Sequence, residues 1–201
     1  SPLHLAAQEG HAAAIQALID KGANLEAKDK DDWTPLHRAA YNGHTSAIQT
    51  LVDKGANIEA KNKYNQTPLH VAAKNGQEAA IQALLDKGAK LEARSSSGWT
   101  PLHWAAYNGQ EAAIQALLDK GAKLVAKSKY DETPLHLAAE KGHASAIQAL
   151  IAEGVNLEAK RKDGLTPLHV AAVNDQAAAI QALVDKGANL EAKANNDGTP
   201  L

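Results

Sequence analysis

Nine histidines in 201 residues invite a metal or proton-transfer reading, because imidazole is the commonest metal ligand and titrates near neutral pH. Six of them, His4, His37, His70, His103, His136 and His169, form a ladder with a constant 33-residue spacing. Zinc holds its nitrogens about 2 Å away, whereas residues one structural layer apart in a helical stack lie roughly 10 Å from each other. The six therefore cannot share an ion, and neither a metal nor any other cofactor is expected. His11, His44 and His143 share a position that elsewhere holds Gln77, Gln110 or Gln176, which points to hydrogen bonding at a helix junction rather than ligation.

Nucleophilic chemistry fares no better. The sequence has no cysteine, so thiol nucleophiles, thiolate zinc sites and disulfides are excluded. The serines, Ser95 to Ser97 among them, are not set in a Gly-x-Ser-x-Gly elbow, and no Gly-Lys-Ser/Thr follows a glycine loop. Carboxylates such as Asp20 and Glu26 recur at equivalent positions, as a solvated face requires. No catalytic residue is identified, and the chain is not expected to be an enzyme. Asn65-Gln66-Thr67 matches a glycosylation sequon by coincidence, since Thr67 is placed at a helix start.

The net charge of -2, with both signs interspersed, gives no basic stripe for a phosphate backbone, so nucleic acid is not an expected partner. Apolar runs of only a few residues exclude a membrane-spanning helix, and no signal peptide opens the chain. The expected location is cytoplasmic or otherwise intracellular.

What must position these side chains is a repeat. Ser1-Pro2-Leu3-His4 returns as Thr-Pro-Leu-His at Thr34, Thr67, Thr100, Thr133 and Thr166. The chain divides into copies 1–33, 34–66, 67–99, 100–132, 133–165 and 166–198, and 199–201 starts a seventh. Threonine before proline predicts a helix start, because the hydroxyl can accept a free backbone amide and proline at the first position gives up a donor that had no partner. The helix runs through Ala-Ala to a glycine such as Gly43 or Gly76. A second helix carries Ile15, Leu18 and Ile19, repeated through Ile180, Leu183 and Val184, on one face, and stops at Gly22, Gly55, Gly88, Gly121, Gly154 or Gly187. The polar remainder, such as Asp29 to Trp33, folds back as a hairpin-like loop. One copy holds too few large aliphatics to offset the entropy of ordering it, so stacking is part of the fold.

These residues resemble the ankyrin repeat, with its Asp-x-x-Gly-x-Thr-Pro-Leu-His-x-Ala-Ala-x-x-Gly-His pattern, over essentially the whole chain. The resemblance implies an all-α solenoid of stacked helix-turn-helix pairs with hairpin loops. It also implies histidines that bond their own Thr-Pro turn or the adjoining loop, and a protein partner held on the concave face and hairpin tips. Departures are Glu26, Glu59, Glu92, Glu158 and Glu191, with Val125, where the family has asparagine, and hairpins that keep Asp29 or only Gly98 and Gly164 of the motif. The uniform frame, without phenylalanine, methionine or cysteine, resembles bacterial arrays or consensus engineering.

Each copy is a control for the others. The fifth position reads Leu5, Arg38, Val71, Trp104, Leu137, Val170, and the eighth reads Gln8, Tyr41, Lys74, Tyr107, Glu140, Val173; such variation marks positions that the fold does not dictate. Both lie on one helix face, and the seven aromatics fall there or in the loops. Trp33 with Arg38, Tyr41 and Tyr64 forms one expected group, and Trp99 with Trp104, Tyr107 and Tyr130 a second. Trp, Tyr and Arg are the usual anchors of interfaces. These eight, with Lys74 and Glu140, are the expected binding residues for a protein of unknown identity. The alternative is a scaffold without a natural ligand, stacking end to end.

Overall fold

The computed structural model describes residues 1–195 and 198–200; positions 196 and 197, in the sixth copy, and Leu201, in the start of the seventh, lie outside the described residues. Among the described residues there are twelve helices and no strand. They come in pairs: α1 (Pro2–Gln8) with α2 (Ala12–Asp20), α3 (Pro35–Tyr41) with α4 (Thr45–Asp53), α5 (Pro68–Lys74) with α6 (Glu78–Asp86), α7 (Pro101–Tyr107) with α8 (Glu111–Asp119), α9 (Pro134–Glu140) with α10 (Ala144–Ala152), and α11 (Pro167–Val173) with α12 (Ala177–Asp185). First helices pack on first helices and second on second, giving two layers.

The core between them is aliphatic. Leu36, Leu69, Leu102 and Leu135 from the first layer meet Ile48, Ile81, Ile114, Leu51, Leu84 and Leu117 from the second, all buried, with the Ala-Ala pairs allowing close approach. Each such Leu or Ile contributes about 1.5–3 kcal/mol of transfer free energy.

The first helices from α3 on start with the expected threonine cap, whose hydroxyl takes the amide three residues on in a capping box that a histidine completes. Thr34, Thr67, Thr100, Thr133 and Thr166 do sit extended before proline. Their hydroxyls also contact the Nδ1 of the histidine three residues on at 2.8–2.9 Å. The threonine amide donates to the same Nδ1 at 3.1–3.3 Å. The imidazole thus replaces the glutamate or glutamine of a usual capping box. An amide can only donate, so Nδ1 is the acceptor and the proton sits on Nε2. That Nε2 donates to the carbonyl that ends the hairpin: Trp33, Gln66, Trp99, Glu132, Leu165 and Gly198 for the six ladder histidines in turn, at 2.8–3.1 Å.

Each hairpin closes on itself, Asp29 N to Trp33 O at 3.0 Å and its counterparts, and from the second hairpin on the tip donates one backbone bond to the tip before it, as Ser96 N does to Tyr64 O at 2.9 Å. The turn needs a residue with positive φ, and Asp32, Asn65 and Asp131 adopt it where Gly98 and Gly164 do elsewhere. Aspartate and asparagine tolerate this region better than other side chains. The hairpin motif is therefore altered in its letters and kept in its conformation.

Neighbouring pairs are also joined by side chains. Glu26, Glu59, Glu92 and Glu158 accept the backbone amides of Asn57, Lys90, Lys123 and Asn189 in the next copy at 2.7–2.9 Å. Val125 stands at the same position, 68% exposed and with no carboxylate to offer. His44 and His143 reach back to the carbonyls of Gln8 and Tyr107, and Gln77 to that of Tyr41, as expected for a junction position.

Candidate partner-binding face

None of the seven aromatic side chains belongs to the aliphatic core. Trp33, Trp99, Trp104 and Tyr107 are half-buried, while Tyr41, Tyr64 and Tyr130 are 44%, 54% and 64% exposed.

The rings cluster in a way that redraws the two expected groups. Trp99, on the hairpin, packs edge-on against Trp104 of α7 with centroids 4.7 Å apart and against Tyr107 at 5.0 Å. Tyr107 lies 6.4 Å from Trp104. Two lysines from adjacent copies cover the cluster, Lys74 at 5.3 Å from the Trp104 centroid and Lys141 at 4.6 Å from that of Tyr107. Each such cation–π contact is worth about 0.5–1 kcal/mol at an exposed site. Tyr130 makes no ring contact with this cluster among the described residues. It lines a separate cleft of about 310 Å³ with Glu132, Arg161, Lys162 and Asp163. Glu140 pairs with Lys141 at 3.3 Å, next to Tyr107.

In the first group, Trp33 packs on Tyr41 at 5.6 Å and carries the Arg38 guanidinium 4.7 Å from its centroid. Arg38 is held by Asp29, whose carboxylate also accepts the amides of Asp31 and Trp33. Tyr64 does not join these rings; Lys63 sits 5.0 Å from its centroid. Instead Trp33, Tyr64, Lys74 and Trp104 line one cleft of about 350 Å³ with Gln66 and Ser95. The two groups are thus bridged, because Trp33 and Trp104 face a common space.

The fifth position is less free than its variation implies. Val71, Leu137 and Val170 are at most 2% exposed there, whereas Leu5 is 63% exposed. Leu5 has no preceding pair in this chain and Val170 has no following one, so the cover comes from the preceding copy. An apolar residue is favoured at this position by packing; Arg38 lies across the Trp33 ring and pairs with Asp29, and Trp104 packs on Trp99. The eighth position, with Lys74, Tyr41 and Val173 exposed, behaves as expected.

Ser95 was legible only as a loop serine without a catalytic setting. Its hydroxyl is buried, and like the indole Nε1 of Trp104 it has no hydrogen-bond partner among the described residues. Its counterparts Asp29, Asn62 and Ser128 each cap their hairpin amides. Ser128 also donates to the Glu132 carboxylate at 2.8 Å. In the third copy that partner position is Trp99, which offers no acceptor, and the serine is left over.

Comparison with known proteins agrees with this architecture. A family model described as ankyrin repeats (3 copies) matches residues 1–62, 59–128 and 124–194. The crystal structure of the ankyrin repeat domain of Bcl-3, described as a unique member of the IkappaB protein family, superposes with a TM-score of 0.84 at 31% identity, covering 100% of this chain and 92% of that one. The human ASB11 ankyrin repeat domain gives a TM-score of 0.85 at 28% identity, covering 100% and 90%. No curated protein sequence matches. With paired helices, a Thr-Pro-Leu-His capping ladder and hairpins bonded tip to tip along its length, the chain belongs to the ankyrin repeat family.

Proposed function

We propose that this chain holds a protein partner along the concave face formed by its first helices and hairpin tips, with Trp99, Trp104 and Tyr107 as the anchor. Ankyrin repeat folds are in general non-catalytic protein–protein interaction modules. The observation that carries the reading for this chain is placement. Every aromatic side chain lies outside a core that closes without it, and three of them stack into one half-exposed cluster. Such rings bury large area with few rotors to freeze, which is why they dominate interface energetics. Trp33, Arg38, Tyr41, Tyr64 and Lys74 extend the surface to one side, and Tyr130 and Glu140 to the other. The six copies act as one array, 1–201, presenting a single surface.

The test is a pull-down with the intact chain beside the triple variant Trp99→Ala, Trp104→Ala, Tyr107→Ala. Trp104→Leu serves as a folding control, since Leu137 is accommodated, buried, at the equivalent position. Proteins retained by the intact chain and lost by the triple variant are the expected result. An identical set retained by both removes the cluster from the binding face.

A further inference from the structure

The junctions between neighbouring copies are not equally fastened along the second-helix layer, the back of the array. Two links recur there. A lysine just after a second helix pairs with the aspartate that ends the second helix before it: Lys54 with Asp20 at 3.4 Å, Lys87 with Asp53 at 2.5 Å and Lys120 with Asp86 at 3.0 Å. The loop glutamate of one copy accepts an amide of the next, as Glu26, Glu59, Glu92 and Glu158 do. The first three junctions hold both links. The fifth, where Ala152 stands in place of the aspartate, keeps the bond from the Asn189 amide to Glu158. The fourth, between copies 100–132 and 133–165, has the residues for neither. Val125 stands for the glutamate, and Glu153 stands where a lysine would meet Asp119, so two carboxylates occupy the sites of an ion pair. The front of the same junction, on the side of the first helices and hairpin tips, is fastened as elsewhere. Lys162 N donates to Tyr130 O at 3.1 Å between the tips, His143 reaches the Tyr107 carbonyl at 3.1 Å, and Lys141 lies over the Tyr107 ring.

We propose that the fourth junction is a hinge: the fifth and sixth copies swing as one body against the first four, opening the array at the back and narrowing its front. In a stack each copy touches only its neighbours, so no other part of the chain makes up for a poorly fastened junction. An exposed ion pair and a charge-assisted hydrogen bond are each modest, yet their place gives them effect. They sit on the layer away from the front links, where a rotation about the front separates the copies most. At the first three junctions such a rotation has to break both. At the fourth it breaks neither, and it relieves the repulsion between Asp119 and Glu153. The apolar core is continuous across the joint, with Ile114, Leu117, Ile147 and Leu150 all buried, so the copies stay docked and the front bonds set the axis. The joint lies beside the aromatic cluster, since Tyr107 belongs to the fourth copy and Lys141 to the fifth. Closure carries Glu140 and Lys141 toward Trp99 and Trp104. The hinge follows from the back of the array alone and holds whether or not the cluster anchors a partner.

The chain has no cysteine, so cysteine pairs introduced into it carry nitroxide labels without background. Ser46, Ala79, Ala112 and Ser145 are exposed, equivalent residues on α4, α6, α8 and α10, and those two copies apart lie about 20 Å from each other. That distance suits double electron–electron resonance. Ala79→Cys with Ser145→Cys spans the fourth junction, and Ser46→Cys with Ala112→Cys spans only doubly linked ones. The first pair should give a distance distribution at least about 1.5 times as wide as the second and shifted to longer distance. Adding Val125→Glu and Glu153→Lys, which restore both links, should return it to the width of the second. A hairpin pair across the same junction, Ser96→Cys with Lys162→Cys, should stay narrow because the tips remain bonded. Far-UV circular dichroism checks the fold of every variant. Equal widths for the two second-helix pairs overturn the hinge, as does a broad distribution that the restored links leave unchanged. Hairpin labels that spread as widely as those on the second helices overturn it too, since the copies would then part as a whole.

Discussion

Acidification to pH 5 should strongly destabilise this protein through its histidine ladder, above the range in which ordinary carboxylates titrate. His37, His70, His103 and His136 are at most 1% exposed. Burial pushes each of them from 6.5 down to about 4, against the opposing pull of the hairpin carbonyl that Nε2 serves. Nδ1 accepts the threonine amide, so a second proton there would also break the helix start. Because the folded value lies below the unfolded one, the unfolded chain binds more protons. Stability is then complete above about 6.5, falls as the pH drops toward 4, and loses nothing further from these groups below that. At pH 5 each unfolded histidine is almost fully protonated and each folded one about one-tenth so, which costs about 2 kcal/mol per residue and about 8 kcal/mol for the four. Domains of this kind are stable by only about 5–15 kcal/mol, so that loss decides whether the chain is folded. Asp163, held below the ordinary carboxylate range by Arg161, acts only at lower pH.

Urea unfolding followed by circular dichroism at about half-unit steps from pH 7.5 to 5 gives the slope directly. Each ladder histidine adds about 1.2 kcal/mol per pH unit near pH 5. Replacing His103→Gln should therefore lower the slope by about a quarter of the four-histidine total, whatever the variant costs at pH 7.5. A stability that stays flat from pH 7 to 5, or histidine resonances titrating near 6.5 in the folded protein, refutes the reasoning.

Two further predictions concern the frame. Val125→Glu supplies the carboxylate that Glu92 and Glu158 use to hold the next copy, here toward the Asn156 amide. It should stabilise the chain by about 0.5–1.5 kcal/mol in the same urea assay, and a neutral or lower midpoint counts against the joint. Gly76 and Gly88 both have positive φ, but a Cβ on Gly76 would run into the Gln110 side-chain oxygen, whereas one on Gly88 meets nothing within 4 Å. Gly88→Ala should cost about 1–2 kcal/mol from backbone strain alone, and Gly76→Ala measurably more; equal costs would show that Gln110 moves aside freely.

How much of this was legible depended on whether a feature repeats. The twelve helices follow from Thr-Pro, Ala-Ala and glycine because those letters recur and each has a local physical reason. The histidine ladder was readable as structural from its spacing alone, though not the tautomer, which needs the threonine amide and the hairpin carbonyl in one view. The hairpins looked eroded because aspartate and asparagine stood where glycine was expected, and only the backbone shows that Asp32, Asn65 and Asp131 take the same left-handed turn. The glutamate joints were invisible for a different reason. Glu26 and its equivalents sit in a polar stretch, and nothing within one copy says that the partner amide belongs to the next. The fifth position misled in the opposite sense: Arg38 and Trp104 made it look free, but Val71, Leu137 and Val170 are buried there. The side-chain grouping failed where sequence distance was taken for distance in space, as Tyr64 and Tyr130 reach clefts rather than the nearest ring cluster.

A chain built from near-copies also shows where bonding demands go unmet. Five threonines bond the ladder histidines in one and the same way, and the hairpin residues Asp29, Asn62 and Ser128 each accept the backbone amide two residues on. The two exceptions, Ser95 Oγ and Trp104 Nε1, belong to residues that both line the cleft beside Trp33, Tyr64 and Lys74. Leaving a buried donor unpaired costs about 1–3 kcal/mol, and Trp104 and Ser95 carry that cost at positions where other copies hold leucine or alanine, Leu137 and Ala194, which have no side-chain donor.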